Sequence, residues 1–349
     1  MKQRMNRKLI LKIAFAFFLF LSGIFFCYSH IFHWMALQKY EESRPFFGTT
    51  IILNACYERG SFPRVIETFK KVWDKFEEFQ WRFNIFDDRS DIAKINSSHG
   101  KPILIGADTY QLLKDSTSYA QLTNGAFDIT VYPLIELWKN AEKKDKIPTA
   151  GELKTVLTRI GGKNIAILSD SRVRLLNKMA RVDVGGIAAG YGADQAVKIL
   201  KENGLKNFLI DTGGELFGAG KNCEGKPWRI GISDPMDSAR FIDIIRLHER
   251  GVSTSGNYEK YFRIENQRWS HIINPVTGYP QAAVASATVI APTATAADAL
   301  STALCILGGV EGIKFIDKLG EGFAAMIIEG EAKDKIHIYK SANYDKLKL

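Results

Sequence analysis

Two kinds of motif are missing from this chain of 349 residues, and each absence excludes a class of protein. No stretch reads Gly-x-x-x-x-Gly-Lys-Ser/Thr, and no Gly-x-Gly-x-x-Gly follows a predicted strand, so the usual nucleotide-binding loops are excluded. Cysteine is scarce, and the four cysteines show no metal-ligand spacing. We therefore expect Cys56, Cys223 and Cys305 to be buried free thiols, with a disulfide as the alternative in an exported chain.

Positive charge is concentrated at the amino terminus. The chain has a net charge of +9, and more than half of it comes from five basic residues in the first dozen positions, where no acidic residue occurs. The remainder has only a mild excess of positive charge. This distribution is compatible with an anionic ligand and is weak support for DNA or RNA binding, so we predict no nucleic-acid partner.

An apolar run follows the basic start. Residues 13–28 read Ile-Ala-Phe-Ala-Phe-Phe-Leu-Phe-Leu-Ser-Gly-Ile-Phe-Phe-Cys-Tyr, close to the roughly 20 residues that span a bilayer. We predict that residues 1–37 form a cytoplasmic stub with a transmembrane anchor, a cleaved signal peptide being the alternative. Residues 38–44 are predicted to be a polar linker and residues 45–349 the functional domain, which would lie outside the cell's inner membrane.

The pattern of apolar residues predicts an α+β fold. Periodicity and capping signals indicate helices over 65–79, 108–122, 150–159 and 188–202, the third beginning with a Thr149/Glu152 capping box. The charged run at 142–146 is predicted to be a solvated loop. Because the strand signals are grouped and not interleaved with helices, a doubly wound sheet is disfavoured. These strand signals occur at 208–210, 228–232, 241–247, 261–264, 287–290, 323–328 and 336–339.

The most informative stretch is residues 269–280, Trp-Ser-His-Ile-Ile-Asn-Pro-Val-Thr-Gly-Tyr-Pro. It places the hydroxyl of Ser270, the imidazole of His271 and the amide of Asn274 close together in a segment with the composition of a surface loop. Further along, Asp298 and Thr302 are four residues apart in a helical pattern, so their oxygens share one face. A carboxylate and a hydroxyl on one face suit a hard cation such as Mg²⁺.

Glycine segments complete the set of candidate motifs. Residues 183–191 contain a glycine pair that opens a helix, and residues 211–215 contain one that closes a strand. Such glycines allow a phosphate to approach backbone N–H groups. Residues 253–258 add hydroxyls and a turn, and residues 125–130 resemble a loop entering a strand. Each segment alone is typical of an ordinary turn or bulge. Together with the histidine loop and the helical Asp/Thr pair, they describe a site for a phosphate ester.

In this order, the segments resemble the ApbE family, the FAD:protein FMN transferases. The resemblance implies a T-fold-related α+β domain with a mixed sheet that binds FAD as its substrate together with Mg²⁺. It implies transfer of FMN to a Thr or Ser hydroxyl of an exported or membrane-bound flavoprotein, with release of AMP. The matching segments are residues 48–49, 125–130 with Pro133 and Trp138, 183–194, 211–215, 227–228, 253–258, 270–280 and 297–302.

The resemblance also implies roles for individual residues. Metal ligands would be Asp298, Thr302 and the backbone carbonyl of Ala188. His271 is the expected group for proton transfer, with Asp183 as its competitor. The residues expected to bind the flavin nucleotide are Phe47, Gly125, Phe127, Asp128, Gly185, Gly186, Gly213, Gly214, Glu215, Ser255, Gly256, Asn257 and His271.

The chain departs from the family pattern at several positions, among them 189 and 274. Ala189 stands where the family usually has a lysine, and Asn274 stands where an aspartate is common. The first departure removes a cation beside the glycine loop. Two alternatives to transfer therefore stay open at this point: an FAD pyrophosphatase that produces FMN and AMP, and a membrane-anchored flavin-binding protein without catalytic activity.

Overall fold

The computed structural model describes residues 37–257, 261–330 and 336–347, together with Phe17. Apart from Phe17, the predicted membrane segment lies outside this part of the chain, as do residues 258–260. The strands are β1 (Gln38–Phe46), β2 (Thr49–Tyr57), β3 (Ile103–Leu104), β4 (Ile165–Ile167), β5 (Arg172–Leu175), β6 (Phe208–Asp211), β7 (Leu216–Ala219), β8 (Trp228–Asp234), β9 (Asp237–Leu247), β10 (Arg250–Gly256), β11 (Tyr261–Ile264), β12 (Gln267–Ser270), β13 (Val284–Ala291), β14 (Ala324–Glu329) and β15 (His337–Lys340). The helices are α1 (Phe62–Arg82), α2 (Asp91–Asn96), α3 (Ala107–Leu122), α4 (Tyr132–Lys144), α5 (Ala150–Leu157), α6 (Ala188–Glu202) and α7 (Ala294–Lys318).

An eight-stranded sheet forms the centre of the molecule, in the order β1-β2-β6-β7-β10-β13-β14-β15. Each neighbouring pair of strands in it is antiparallel. All eight residues of β13 are buried, as expected of a central strand that is covered on both faces. An antiparallel sheet with helices packed against it confirms the α+β class predicted from the sequence. The mixed sheet that the resemblance implied is wrong for this sheet, because each of its neighbouring strand pairs is antiparallel.

Helices cover one face of this sheet and a β-hairpin covers the other. Alternate residues of β14 show the division: Ala325 and Ile327 pack with α7, whereas Met326 and Ile328 pack with the β8–β9 hairpin. The helices α1 and α6 continue the helical layer over β1, β2 and β6. The result is a layered core in which α6 and α7 lie side by side against the sheet.

Two smaller hydrophobic clusters extend the helical layer, and loops that are described in the next subsection begin or end in them. One contains α2, α3, the start of α6 and a three-stranded sheet in the order β3-β5-β4. The other contains α4, α5 and the β11–β12 hairpin, packed around Trp138 and Phe262. The hairpin turns at Glu265 and Asn266, both with positive φ.

The strongly periodic helices were predicted well. The observed α1, α3 and α6 contain the predicted spans 65–79, 108–122 and 188–202. The capping box is present as well, because the Thr149 N–H donates to Glu152 Oε2 at 2.8 Å and the Glu152 N–H donates to Thr149 Oγ1 at 3.3 Å. These features depend on neighbours a few residues apart, which is why the sequence alone reveals them.

The prediction of a linker at residues 38–44 is wrong, because these residues form most of β1. This strand pairs with β2 from Gln38 opposite Tyr57 to Phe46 opposite Thr49. It is the edge strand of the sheet and is largely exposed, so its sequence lacks the alternation of apolar residues that marks a half-buried strand. Phe47 and Gly48, both with positive φ, form the tight turn into β2.

The prediction of a solvated loop at residues 142–146 is wrong for its first half. Residues 142–144 form the last turn of α4, and Asp145 caps the helix in the left-handed conformation. Glu142 Oε1 accepts the N–H of Arg263 at 2.8 Å, and Asp145 Oδ1 accepts the N–H of Glu265 at 2.6 Å. The charged side chains therefore attach the helix end to the β11–β12 hairpin, a contact that local sequence does not show.

The expectation of three free thiols is wrong for two of them. Cys56 in β2 and Cys223 in the β7–β8 connection form a disulfide, with a Cα–Cα distance of 5.1 Å. The two cysteines are 167 residues apart in sequence and meet only because the sheet brings β2 and β7 to the same region. Cys305 is a buried free cysteine, as predicted.

One helix in the described part of the chain is long and apolar enough to cross a membrane, namely α7. Half of its most apolar window is buried inside the protein. Ala297, Leu300 and Leu304 on this helix pack with β13 and β14 in the core. A core helix satisfies the same length and hydropathy criteria as a membrane span, and the packing identifies α7 as a core helix.

Replacement of Cys223 tests the contribution of the disulfide. Because the bond closes a long loop in the unfolded chain, Cys223→Ser should lower the free energy of unfolding by about 3–5 kcal/mol, measured by denaturant titration. A thiol reductant should bring the wild-type protein to the level of the variant and leave the variant unchanged. Equal denaturation midpoints for the wild type and the variant under oxidising conditions would contradict the prediction.

Candidate active site

The centre of the candidate site is the crossing of α6 and α7. Gly190 lies in the first turn of α6, and its N–H donates to Asp298 Oδ2 at 2.9 Å. A Cβ atom at position 190 would lie 2.5 Å from the carbonyl oxygen of Ala294 and 2.8 Å from Cβ of Asp298. Only glycine therefore allows the two helices to approach this closely, and the approach places a carboxylate that is 4% exposed at the start of α6.

A second aspartate holds the start of α7 in place. The Asp194 carboxylate accepts the N–H groups of Ala294 and Thr295 at 2.8 and 2.9 Å, and it also accepts the Thr295 hydroxyl. These bonds satisfy backbone donors that a helix start leaves without partners. Sequence reasoning missed this role of Asp194. Its position four residues after Gly190, on the same helix face, is the signal that could have suggested it.

Hydroxyl groups from β10 and α7 form a cluster beside Asp298. Ser255 Oγ is 2.8 Å from Ser301 Oγ and 3.4 Å from Thr302 Oγ1, and Ser253 Oγ is 3.2 Å from Ser301 Oγ. The structure thus brings together two predicted site residues, Ser255 and Thr302. Ser301 was missed, although Ser253 and Ser255 already indicated a polar strand face by their spacing of two. Gly256 is buried, and the N–H of Asn257 donates to the Ala285 carbonyl at 3.1 Å.

The loop before α6 lies against Thr302. A Cβ at Gly186 would be 3.5 Å from Thr302 Oγ1 and 3.6 Å from the ring of Phe127. Phe127 is buried, so its ring closes the site from the side of α3. Asp183 is half-buried, and its N–H donates to the carbonyl of Ile129 at 2.8 Å. Four predicted residues therefore lie in one continuous region, and Ala188 follows as the buried first residue of α6.

The segment that supplies Phe127 is held by its own side chains. Gly125 has φ of 83°, which permits the turn after α3. Asp128 Oδ1 accepts the N–H and the hydroxyl of Thr130 at 2.8 and 2.6 Å. The pKa of the Asp128 carboxyl is raised, because the effect of burial is larger than the opposing effect of these two hydrogen bonds. In this structure Asp128 acts on the shape of the turn that positions Phe127.

The β6–β7 loop joins the site from the opposite side. Thr212 Oγ1 donates to the carbonyl oxygen of Ala189 at 3.2 Å and to that of Glu215 at 2.9 Å, which links this loop to the start of α6. A Cβ at Gly213 would lie 2.5 Å from Thr49, so the loop also packs closely on the turn that carries Phe47.

The space beside Gly214 and the ring of Phe47 complete this side of the site. Gly214 has φ of 113° and open space on its Cβ side. Phe47 is half-buried and makes an edge-to-face contact with Phe76, with 6.3 Å between the ring centroids. The turn that carries Phe47 packs on this loop at Gly213, and Gly214 leaves space for a ligand.

The structure corrects one part of the sequence interpretation. The N–H of Gly185 donates to Asp183 Oδ1 at 2.8 Å, and the N–H groups of Gly213 and Gly214 both donate to Asp211 Oδ1 at 2.9 Å. Each aspartate side chain accepts hydrogen bonds from the glycine N–H groups of its own turn. This is the Asx-turn, in which an aspartate bonds to the backbone that follows it. These N–H groups therefore do not face a ligand, and the glycines contribute conformation and steric access.

His271 begins a rigid loop after β12. The histidine is half-buried, and the preceding Ser270 Oγ accepts the N–H of Ile272 at 3.1 Å. Asn274 Oδ1 accepts the N–H of Val276 at 2.8 Å, so the amide shapes the loop from within. The far end of the loop is held by Trp138 Nε1, which donates to the Gly278 carbonyl at 2.8 Å.

The buried carboxylates give the site its electrostatic character. Burial raises the pKa of the Asp298 carboxyl to about 7; the N–H from Gly190 lowers it, and the charge of Asp194 adds to the rise. Burial likewise raises the pKa of Asp194. A positively charged group beside Asp298 would favour its ionised form. The hydroxyl of Thr302, one helical turn away, adds a second oxygen donor of the kind that hard cations prefer.

Replacement of Gly190 tests the helix crossing. Gly190→Ala should force α6 away from α7 and lower the free energy of unfolding by about 1–3 kcal/mol, because the added methyl group meets backbone atoms that cannot move independently. Thermal unfolding measures the effect. Gly151→Ala is the matched control, since Gly151 lies in α5 with open space around it and should be neutral or slightly stabilising. Equal loss in both variants would contradict the packing argument.

The raised pKa of Asp298 predicts a pH-dependent stability. Between about pH 4 and pH 7 the folded state keeps a proton that the unfolded state has lost, so the stability from this group is greatest at low pH and declines as pH rises. Without divalent cations, Asp298→Asn should therefore gain about 1–3 kcal/mol relative to wild type between about pH 5 and pH 8, measured by chemical denaturation. A difference that does not change with pH would overturn this assignment.

Comparison with known proteins identifies the family. Residues 47–327 match the model of the ApbE family. The chain is 32% identical to the FAD:protein FMN transferase of Haemophilus influenzae over 262 residues, which cover 72% of this chain and 76% of the relative. It is 35% identical to the FAD:protein FMN transferase of Klebsiella pneumoniae over 253 residues, which cover 70% and 72% of the two chains.

Solved structures of ApbE proteins have the same fold as this chain. The crystal structure of the ApbE protein from Thermotoga maritima has a TM-score of 0.80 and 32% identity, and the match covers 89% of this chain and all of that one. The flavin transferase ApbE from Vibrio cholerae has a TM-score of 0.77 and 26% identity, with 89% and 99% of the two chains covered. The family match and the likeness in sequence and fold show that this chain belongs to the ApbE family.

Proposed function

We propose that this protein transfers FMN from FAD to a threonine or serine hydroxyl of an exported flavoprotein and releases AMP. The observation that carries the proposal is the convergence of distant segments on one buried carboxylate. Gly190 donates to Asp298, Gly186 lies against Thr302, and Ser255 contacts Thr302. The named relatives supply the activity, since each is a FAD:protein FMN transferase and matches most of this chain.

The excess of carboxylates creates a requirement for a cation. Asp183, Asp211 and Asp298 all lie within the site, and the backbone N–H groups near them are engaged by these same side chains. The pyrophosphate of FAD is also negatively charged, so it would be repelled unless a positive charge lay between them. The family usually has a lysine at the position of Ala189, and this chain lacks that cation. The dependence on a bound metal ion should therefore be strong.

We assign Mg²⁺ to Asp298, Thr302 and the backbone carbonyl of Ala188. Within residues 37–257, 261–330 and 336–347, no group of three His, Cys, Asp or Glu side chains could hold a metal ion by itself. One carboxylate with neutral oxygens and substrate phosphates is nevertheless the usual arrangement for Mg²⁺. When bound, Mg²⁺ neutralises the charge that develops as the phosphoanhydride breaks. Its charge would also offset the unfavourable ionisation of the buried Asp298.

The transfer requires a group that accepts a proton. The acceptor oxygen forms a bond to the phosphorus of the FMN half, the bond between that phosphorus and the bridging oxygen breaks, and AMP leaves with the bridging oxygen. The hydroxyl proton moves to a base. His271 is assigned this role, because it is half-buried in a rigid loop and an unperturbed histidine titrates near neutrality. Asp183, half-buried beside the glycine loop, is the alternative base.

Several residues can position the nucleotide without direct chemistry. Phe47 offers an aromatic ring in the turn that packs on the β6–β7 loop, and Gly214 in that loop has open space on its Cβ side. An apolar ring beside free space suits the flat ring systems of FAD. Phe127 fixes the position of Gly186, so it acts on the glycine loop that faces Thr302. The site therefore combines an apolar rim with a charged centre.

We further propose that the domain lies on the extracytoplasmic side of the inner membrane, held by an uncleaved anchor in residues 1–37. The basic start and the apolar run support this orientation. The disulfide between Cys56 and Cys223 supports it independently, because disulfides persist in oxidising compartments and are rare in the cytosol. The acceptor would then be an exported or membrane-bound flavoprotein with access to the same side.

A transfer assay tests the function. The full-length protein in detergent should release AMP from FAD when Mg²⁺ is present and should give an acceptor protein covalent flavin, detected by in-gel fluorescence. Asp298→Asn should reduce both by about a hundredfold or more, since it removes the charged metal ligand. Asp170→Asn, an exposed aspartate, is the matched control. AMP release without covalent flavin would indicate a pyrophosphatase, and FAD binding without either product would indicate a flavin-binding protein.

Reporter fusions test the orientation. Alkaline phosphatase joined after Leu37, ahead of β1, should be active because the phosphatase folds only where disulfides form. A cytoplasmic reporter at the same junction should be inactive. The reverse pattern of reporter activities would place the domain in the cytoplasm and refute the proposed topology.

A further inference from the structure

A groove lies beside the loop that begins with His271. It has a volume of about 470 Å³ and is lined by Ala150, Lys154 and Leu157 on one side and by Thr277 and Tyr279 on the other. We call it the α5 groove. Its walls are mainly apolar, and Lys154 places a positive charge at its edge. None of the residues assigned above to the metal or to the nucleotide lines this groove.

The α5 groove is formed by a rigid loop. Gly278 has φ of 79°, and a Cβ atom there would lie 3.1 Å from Leu153 and 3.4 Å from Leu134. The carbonyl of the same glycine accepts the indole N–H of Trp138. The loop is therefore pressed onto α4 and α5 by packing and by a buried hydrogen bond. A groove with fixed walls can bind a peptide segment without first paying the entropy of ordering its own loop.

The groove lies close in sequence to His271, the proposed proton acceptor. Thr277 is six residues after His271, so the two positions can be separated by at most about 20 Å even if the chain were fully extended. A polypeptide segment of about six residues could therefore occupy the groove and still present a hydroxyl near His271. A nucleotide substrate has no need of such a site, whereas a protein substrate must be held beside the reacting group.

The surface around the groove favours an acidic partner. Residues 132–164, which contain α4 and α5, carry seven Lys and Arg residues against four acidic ones. Two of the acidic side chains accept backbone N–H groups of the neighbouring hairpin, Glu142 from Arg263 and Asp145 from Glu265. Six of the seven basic residues are exposed, namely Lys139, Lys143, Lys144, Lys146, Lys154 and Lys163.

We propose that the α5 groove is the docking site for the acceptor protein. The occupant is a segment next to the flavinylated Thr or Ser that places an apolar side chain in the groove and an acidic side chain against Lys154. The inference rests on the proposed FMN transfer and specifies how its protein substrate is recognised. Charge complementarity of this kind mainly accelerates encounter and fixes register, so it should affect transfer to protein and leave FAD cleavage by water unchanged.

Two variants of the full-length protein test the docking site. Ala150→Trp fills the groove from an exposed position, and Lys154→Glu reverses the charge at its edge. The acceptor source is a detergent-solubilised membrane fraction from cells of the same organism that lack the gene. With FAD and Mg²⁺ added, each variant should form covalent flavin on membrane proteins about tenfold more slowly than wild type. The defect of Lys154→Glu should shrink as salt is raised, because screening weakens exposed charge pairs.

The controls separate docking from catalysis. Lys70→Glu makes the same charge change on the exposed face of α1 and should transfer FMN at the wild-type rate. AMP release without acceptor should be equal in wild type, Ala150→Trp and Lys154→Glu. Wild-type transfer rates in both groove variants would overturn the proposal, and so would a parallel loss of acceptor-independent AMP release, which would assign the groove to FAD. If wild type itself makes neither AMP nor covalent flavin, the proposed function fails and not the docking site alone.

Discussion

The contact between α6 and α7 at Gly190 is the interaction on which the site depends. A missing side chain lets the helices touch, and the backbone N–H at that point satisfies a carboxylate that is almost completely buried. Asp194 then fixes the start of α7 from the same face of α6. Because Asp298 and Thr302 are both on α7, the position of this helix sets the distance between these proposed metal ligands and the glycine loop. A shift of one helix would change every other contact in the site.

Aspartates determine the shape of the turns in this site and also give the site its negative charge. Asp183 and Asp211 form turns by accepting the N–H groups of the glycines that follow them. The turns are thereby rigid, but donors that could have faced a phosphate are used, and negative charge accumulates where an anionic substrate would bind. A divalent cation between protein and substrate would remove this repulsion, since it attracts both the carboxylates and the phosphates. In a chain with Ala189 in place of the usual family lysine, the same reasoning explains why the cation should matter more.

In the proposed function, the two substrates bind to two different parts of the helical layer. The sheet with α6 and α7 supplies the carboxylates, hydroxyls and glycine turns assigned to FAD and Mg²⁺. The cluster of α4, α5 and the β11–β12 hairpin supplies the loop that begins with His271 and the groove assigned to the acceptor. In the proposed function, the loop that begins with His271 and borders the groove would bring an acceptor hydroxyl to the nucleotide. Such an arrangement holds two reactants in a fixed geometry before reaction.

The sequence by itself determined the features that depend on neighbours along the chain. The periodicity of α1, α3 and α6, the capping box at Thr149 and the spacing of Asp298 and Thr302 are all local, and the ordered motifs identified the family. The tertiary structure alone decided the rest, because the deciding partner is distant in sequence. The edge strand β1 needs β2, Cys56 needs Cys223, and the end of α4 needs the β11–β12 hairpin. The hydrogen bonds of the glycine N–H groups also needed the structure, because only the folded turn shows which oxygen accepts each N–H.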